Sequence, residues 1–202
     1  MTLTADKEYL VSDNLVIGDG YTLTINPGVI LKISDAKNIR VTGNLNAIGT
    51  AELPIYFQAE NSYWDGFSIT GTSIYKYCNF TNIKLSSYIF SNSSLDYLEI
   101  SNSNIYDIDV NGIFAKYPDI FKYNNITNII NGKFASFYSG GGLDSNIMYN
   151  NFTQSNFESN QGTLQGFDWD WTAPGGIIAL SQNNTFNLKG GLSFMINGGD
   201  HT

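Results

Sequence analysis

The sequence predicts an all-β chain wound as a parallel solenoid. One seven-residue phrase returns, the segments around it alternate with period two, and Gly, Pro and Asn punctuate them at short intervals. The phrase is "FKYNNIT", Phe121 to Thr127, and it comes back as "IMYNNFT", Ile147 to Thr153. Aligned on tyrosine, four segments share it: "YKYCNFTN" (75–82), "LDYLEISN" (95–102), "FKYNNITN" (121–128) and "IMYNNFTQ" (147–154). The tyrosines are Tyr77, Tyr97, Tyr123 and Tyr149, so one copy takes roughly 20 to 26 residues, the length of one solenoid rung. Three residues on stand Phe80, Ile100, Ile126 and Phe152, followed by Thr81, Ser101, Thr127 and Thr153. Stacked rungs set equivalent side chains roughly 4.8 Å apart. The alignment therefore expects the four tyrosines in one file, and it pairs Asn124 with Asn150 and Asn125 with Asn151 at one bend. The whole chain is expected to be a single domain of about eight rungs.

In chain order, residues 1–20 read as an N-terminal cap region, because "TADKEYLVSDN" mixes charge into its strands and can act as a polar lid over an open end. "YTLTINPGVILKI" carries a tight turn at Pro27-Gly28, with Pro fixing φ and Gly permitting φ > 0. Gly43 and Gly49 flank a short strand where corners need a backbone free of Cβ strain. "PIYFQ" and then Trp64-Asp65-Gly66-Phe67 complete the dense opening third, with Trp64 read as core or groove wall.

The run from Tyr21 to Phe57, followed by Trp64 to Phe67, resembles the opening rungs of right-handed parallel β-helix proteins of microbial surfaces. These include adhesin-like proteins and belong to the pectate-lyase-like superfold. The shared pattern is an "LTI-x-PGV" turn, a "V-x-G-x-L-x-A-x-G-T" rung, a "PI-x-F" strand and a "W-G-G-I" rung, in which Asp65 stands where glycine is usual. The resemblance implies a single-stranded right-handed parallel β-helix and an extracellular or cell-surface setting, or a place in a virion. It leaves activity open, since the same architecture houses lyases, hydrolases, tailspikes and inert stalks.

Beyond residue 70 the rungs become Asn-rich, to about residue 157. Residues 160–176, "NQGTLQGFDWDWTAPGG", are expected to project as a loop. The apolar run Leu192 to Ile196 then forms a last strand with no charged helix or hairpin after it. Such an ending suits a piece of a longer protein, or a terminal rung that docks on another chain.

Composition narrows the partners. A formal charge of −8, with Arg40 the only arginine and 14% charged residues, offers no basic patch for nucleic acid or an anionic membrane. No apolar run approaches the roughly 20 residues of a membrane helix. Cys78, the only cysteine, lies in an alternating apolar run and reads as a buried small hydrophobe. His201, the only histidine, is penultimate, and no Ser/His/Asp set or Cys/His zinc spacing forms around it.

Two carboxylate groupings carry the remaining chemistry. "DIDVNG" puts Asp107, Asp109 and Asn111 at the spacing of the first half of a calcium loop, but the twelfth position is Pro118 where a bidentate Glu is needed. A strand with its polar face in water explains the same residues; a low-affinity calcium site completed by Asp119 is the alternative. No other cofactor is indicated. "FDWDW" sets Trp169 and Trp171 beside Asp168 and Asp170, either as a lid folded back on the solenoid or as an aromatic platform for sugar rings with carboxylates for their hydroxyls. The sequons at Asn79, Asn92, Asn125, Asn151 and Asn183 read as ladder chemistry. The function expected is a non-enzymatic structural or adhesive module that binds a glycan or polysaccharide, or associates with itself at the C-terminal rung. The alternatives are a polysaccharide lyase or glycosidase using Asp168 and Asp170 as acid and base, and an ice-binding solenoid displaying Thr81, Thr127 and Thr153 with Ser101 as an interruption.

Overall fold

A computed structural model describes residues 1–5, 7–91, 97–114, 119–131, 135–138, 146–154, 165–170, 180–182, 185–188 and 193–197. Among them there is no helix, every strand pairing is parallel, and strands stack rung upon rung into a β-solenoid. The first sheet takes, in order, Thr2–Leu3, Thr22–Ile25, Asn44–Ile48, Thr72–Lys76, Tyr97–Ser101, Ile120–Lys122, Asn146–Met148 and Leu180–Gln182, so among the described residues the chain passes this face eight times. The second sheet runs from Glu8–Val11 through Ile30–Ile33, Ile55–Ala59, Cys78–Ser91, Asn104–Phe114, Asn125–Asn131 and Asn151–Gln154 to Thr185–Leu188. A third line begins with Leu15–Ile17, Ile39–Val41 and Phe67–Ile69 and joins the far end of the long strand Cys78–Ser91. Farther along the chain, Ala135–Tyr138, Gln165–Asp170 and Ser193–Asn197 form a three-stranded parallel sheet.

Period-two alternation produces this arrangement directly: odd and even residues of each strand face opposite ways, and the apolar set turns inward on every face. Leu23, Leu45 and Leu98 line the first sheet from inside, Leu31, Phe57 and Phe80 the second, and Ile39, Phe67 and Phe90 the third, all buried. The middle rungs are plugged by aromatic rings. Phe57 stacks on Phe80 at 5.2 Å and Phe67 on Phe90 at 5.2 Å, each within its own column, and edge-to-face contacts join the columns across the core. Trp64 is core, fully buried, with its indole N–H donating to the Thr81 carbonyl at 2.9 Å. Cys78 is buried as well, and burial pushes its thiol far above the usual range.

The corner between the first and second sheets changes along the axis. Early rungs use Asn26 to Val29, where Gly28 has φ +81° and donates its N–H to the Leu53 carbonyl. Between residues 77 and 149 a single left-handed residue suffices: Tyr77, Asn102, Tyr123 and Tyr149, with φ between 52° and 58°. Register corrects the expected tyrosine file here. Tyr97 pairs with Thr72 at the start of a first-sheet strand, whereas Lys76, Ser101, Lys122 and Met148 are successive partners, so Asn102 occupies the corner between Tyr77 and Tyr123. Apolar residues alternate inward alike on the first and second faces, so "LDYLEISN" matched its neighbours in pattern while belonging to the wrong face. The residues in register with Phe80 and Thr81 are Ile105 and Tyr106, not Ile100 and Ser101. The expected threonine column is therefore interrupted by Tyr106.

Two expectations about the ends also meet the structure. Residues 1–17 supply a strand to each of the three faces, so the expected cap region contains a rung. Within the stretch expected to project as a loop, Gln165–Asp170 is a strand, the middle one of the three-stranded sheet.

Candidate functional site

A left-handed corner residue turns the chain from the first sheet to the second in one step, and the next residue, at 78, 103, 124 or 150, is buried. The side chain at that next position meets backbone groups around it. Ser103 Oγ accepts from the Cys78 N–H at 3.0 Å and donates to the Ser101 carbonyl; Asn124 Oδ1 accepts from the Ser103 N–H at 3.0 Å; Asn150 Oδ1 accepts from the Asn124 N–H at 2.9 Å. The amide nitrogens complete the set, Asn124 Nδ2 donating to the Ile100 carbonyl and Asn150 Nδ2 to the Phe121 carbonyl. This buried polar column, Cys78 to Ser103 to Asn124 to Asn150, satisfies groups that would each cost about 1–3 kcal/mol unpaired. It pins the corner residues outside it.

What the corner displays outward is aromatic and amide chemistry. Tyr123 and Tyr149 are 56% and 47% exposed, and their rings stack with centroids 5.1 Å apart and 6° between planes. Two residues along, Asn79, Asn104, Asn125 and Asn151 share a second column on the second sheet. Asn104 Nδ2 donates to Asn79 Oδ1 at 2.7 Å, and Asn151 Nδ2 donates to Asn125 Oδ1 at 2.9 Å. Among the described residues no amide bond joins Asn104 to Asn125, so the ladder consists of two pairs with a break between them. The expected pairs Asn124/Asn150 and Asn125/Asn151 are thus both present, and sequon residues Asn79, Asn125 and Asn151 are ladder members; Asn92 and Asn183 lie outside the described residues. The file is neutral and offers hydrogen-bond donors and acceptors next to apolar ring surface.

The other sequence-predicted residues fall elsewhere. Asp107, Asp109 and Asn111 belong to the second-sheet strand Asn104–Phe114, with the register slipping between Ile108 and Asp109. Asp119, their suggested fourth partner, precedes a first-sheet strand, and its carboxylate accepts from the Leu98 N–H at 2.8 Å. Asp168, Trp169 and Asp170 lie on the strand Gln165–Asp170, where Trp169 is in register with Phe137 and Ile196, and Asp168 with Ser136 and Met195. Trp171, Pro118 and His201 lie outside the described residues. Arg40 is exposed on the third line, in register with Val16 and Ser68. Among the described residues no group of three or more His, Cys, Asp or Glu could hold a metal.

The sequence reading missed the role of Asn102, although a signal was present. "SNSNIY" (101–106) matches "KYCNFT" (76–81) and "KYNNIT" (122–127) once alignment rests on the fourth-place Asn and the apolar residue after it. Compared with family models, with curated proteins and with solved structures, the chain finds no match.

Proposed function

We propose that the chain is a non-enzymatic structural and binding module, displayed on a cell exterior or a virion, whose wall meets glycans or further copies of itself. The observation that carries this reading is the exposed, stacked pair Tyr123 and Tyr149 beside the neutral asparagine column, held on a corner pinned from within by Asn124 and Asn150. Sugars present apolar C–H faces and a rim of hydroxyls, and sites that hold them combine flat aromatic surface with a few fixed polar groups. Rigid rungs keep both in place without an ordering cost at binding. The resemblance of residues 21–67 to surface β-helix proteins supports the same setting.

A glycan array probed with the full chain tests it, alongside acidic and neutral polysaccharides monitored for new reducing ends and unsaturated-uronate absorbance. Binding without cleavage is expected, lost in the double variant Tyr123→Ala, Tyr149→Ala and kept in Trp169→Ala, Trp171→Ala. Loss only in the tryptophan variant would move the site to the three-stranded sheet. Cleavage would favour a lyase or hydrolase, with Asp168 and Asp170 the first carboxylates to replace. An empty array would remove glycans and leave self-association, which light scattering against concentration measures.

A further inference from the structure

Resting on the glycan reading above, we infer that Asn102 opens a slot one rung high between the rings of Tyr77 and Tyr123, and that the slot takes a single pyranose ring. The four corner residues share register and left-handed φ, so their Cα–Cβ bonds repeat in direction from rung to rung. Where two tyrosines are consecutive, at 123 and 149, the rings lie face to face. Tyr77 is half-buried and does not join the core cluster, so it too belongs to the outer surface. Two rungs separate it from Tyr123, roughly 9.6 Å, which is twice the spacing of one ring contact. With the Tyr77 ring turned as the rings of Tyr123 and Tyr149 are, one more ring fits between Tyr77 and Tyr123 and touches both.

Asn102 makes the gap without spoiling the corner. Asparagine tolerates the left-handed conformation better than most residues and is shorter than tyrosine, so the turn persists while the ring is missing. The amide ladder breaks at the same level. Asn104 spends its Nδ2 on Asn79 and Asn125 spends its Oδ1 on Asn151, which leaves Asn104 Oδ1 and Asn125 Nδ2 without partners among the described residues. An acceptor and a donor thus flank a cleft walled by two ring faces. A pyranose ring has that complementarity, apolar on both faces and hydroxylated at its rim; a flat aromatic ring fills the walls but has no rim groups for the amides.

The test replaces Asn102 by the residue found on its neighbours. Asn102→Tyr should continue the stack and fill the slot with the protein's own ring, and its thermal midpoint should not fall below that of the parent. On the glycan array, and with methyl pyranosides of gluco, galacto and manno configuration read by saturation-transfer NMR, Asn102→Tyr should weaken binding about tenfold or more, whereas Val16→Ala, at an exposed position on the third line, should change it less than about twofold. Equal binding by Asn102→Tyr and the parent overturns the slot while leaving glycan binding standing. Phenol bound in the slot with no pyranoside bound overturns the ligand class. A parent that binds no array glycan overturns the underlying reading as well.

Discussion

Asn124 shows how much one side chain does at this corner. Its Oδ1 accepts from the Ser103 N–H and its Nδ2 donates to the Ile100 carbonyl and to Asn150 Oδ1, all inside the wall. Asn124→Ala leaves the first two groups buried without partners and should cost about 2–4 kcal/mol in a denaturant titration. Asn124→Asp keeps the acceptor and loses the donor, so its cost should be comparable and should shrink in acid, where a protonated carboxyl can donate again. Tyr75 is the contrasting case: fully buried beside Ser73, with a hydroxyl that makes no well-formed hydrogen bond among the described residues, and with burial driving its ionisation well above the usual range. A poorly paired hydroxyl inside an aromatic plug carries a desolvation cost that the packing of its ring must outweigh.

At the scale of a strand and its turns, glycine decides how closely rungs approach. A Cβ on Gly71 would run into the Gly43 and Thr42 carbonyl oxygens of the rung beneath, and one on Gly43 would meet the carbonyls of Gly18 and Tyr21. Gly20, by contrast, has φ +77° with open space around it. Gly71→Ala should therefore cost about 1–3 kcal/mol through backbone displacement, and Gly20→Ala about 1 kcal/mol or a little more through conformation alone. Thermal midpoints of the two variants measure the difference. Strands were legible because alternation of Val, Ile, Leu and Phe is a local property of the chain. Corners were less so: a tyrosine at φ 57° and an asparagine at φ 52° do the same job, and nothing in residue type announces that equivalence. Anchoring on tyrosine therefore misplaced one copy, and Tyr97 went to the wrong face.

For the molecule as a whole, cohesion among the described residues comes from parallel backbone ladders and one apolar cluster that runs from Leu3 to Ile126. The ion pairs Lys32–Glu8, Lys37–Asp13 and Lys76–Glu99 each join neighbouring rungs, and the first two, largely exposed, contribute little. Acid response should follow two carboxylates of opposite sign. Burial raises Asp65 above its ordinary 3.8, so its contribution is full below that value and is lost as pH rises through the folded pKa. Asp13 is lowered, first by the Asn14 N–H and then by Lys37, so its small contribution is present above 3.8 and fades as pH falls. Asp65→Asn should raise stability near neutrality and remove the loss that accompanies Asp65 ionisation, as urea midpoints between about pH 3 and pH 7 would record. The solenoid was legible from its repeat because every rung must present similar residues to the next. The proposed binding surface was not, because it depends on which rung lacks a tyrosine, and register across rungs is a three-dimensional fact.

The change from multi-residue turns to a lone left-handed residue at the first corner has an outcome for how such a chain can vary. Residues 50–52 lie exposed between Gly49 and Leu53, which are bonded to the neighbouring rungs, so length can change between those two anchors, whereas one extra residue at position 77, 102, 123 or 149 would throw the buried polar column out of line with its carbonyls. Length variation is thereby steered away from that margin. It stays straight and evenly graduated, like the marked side of a ruler laid parallel to the axis.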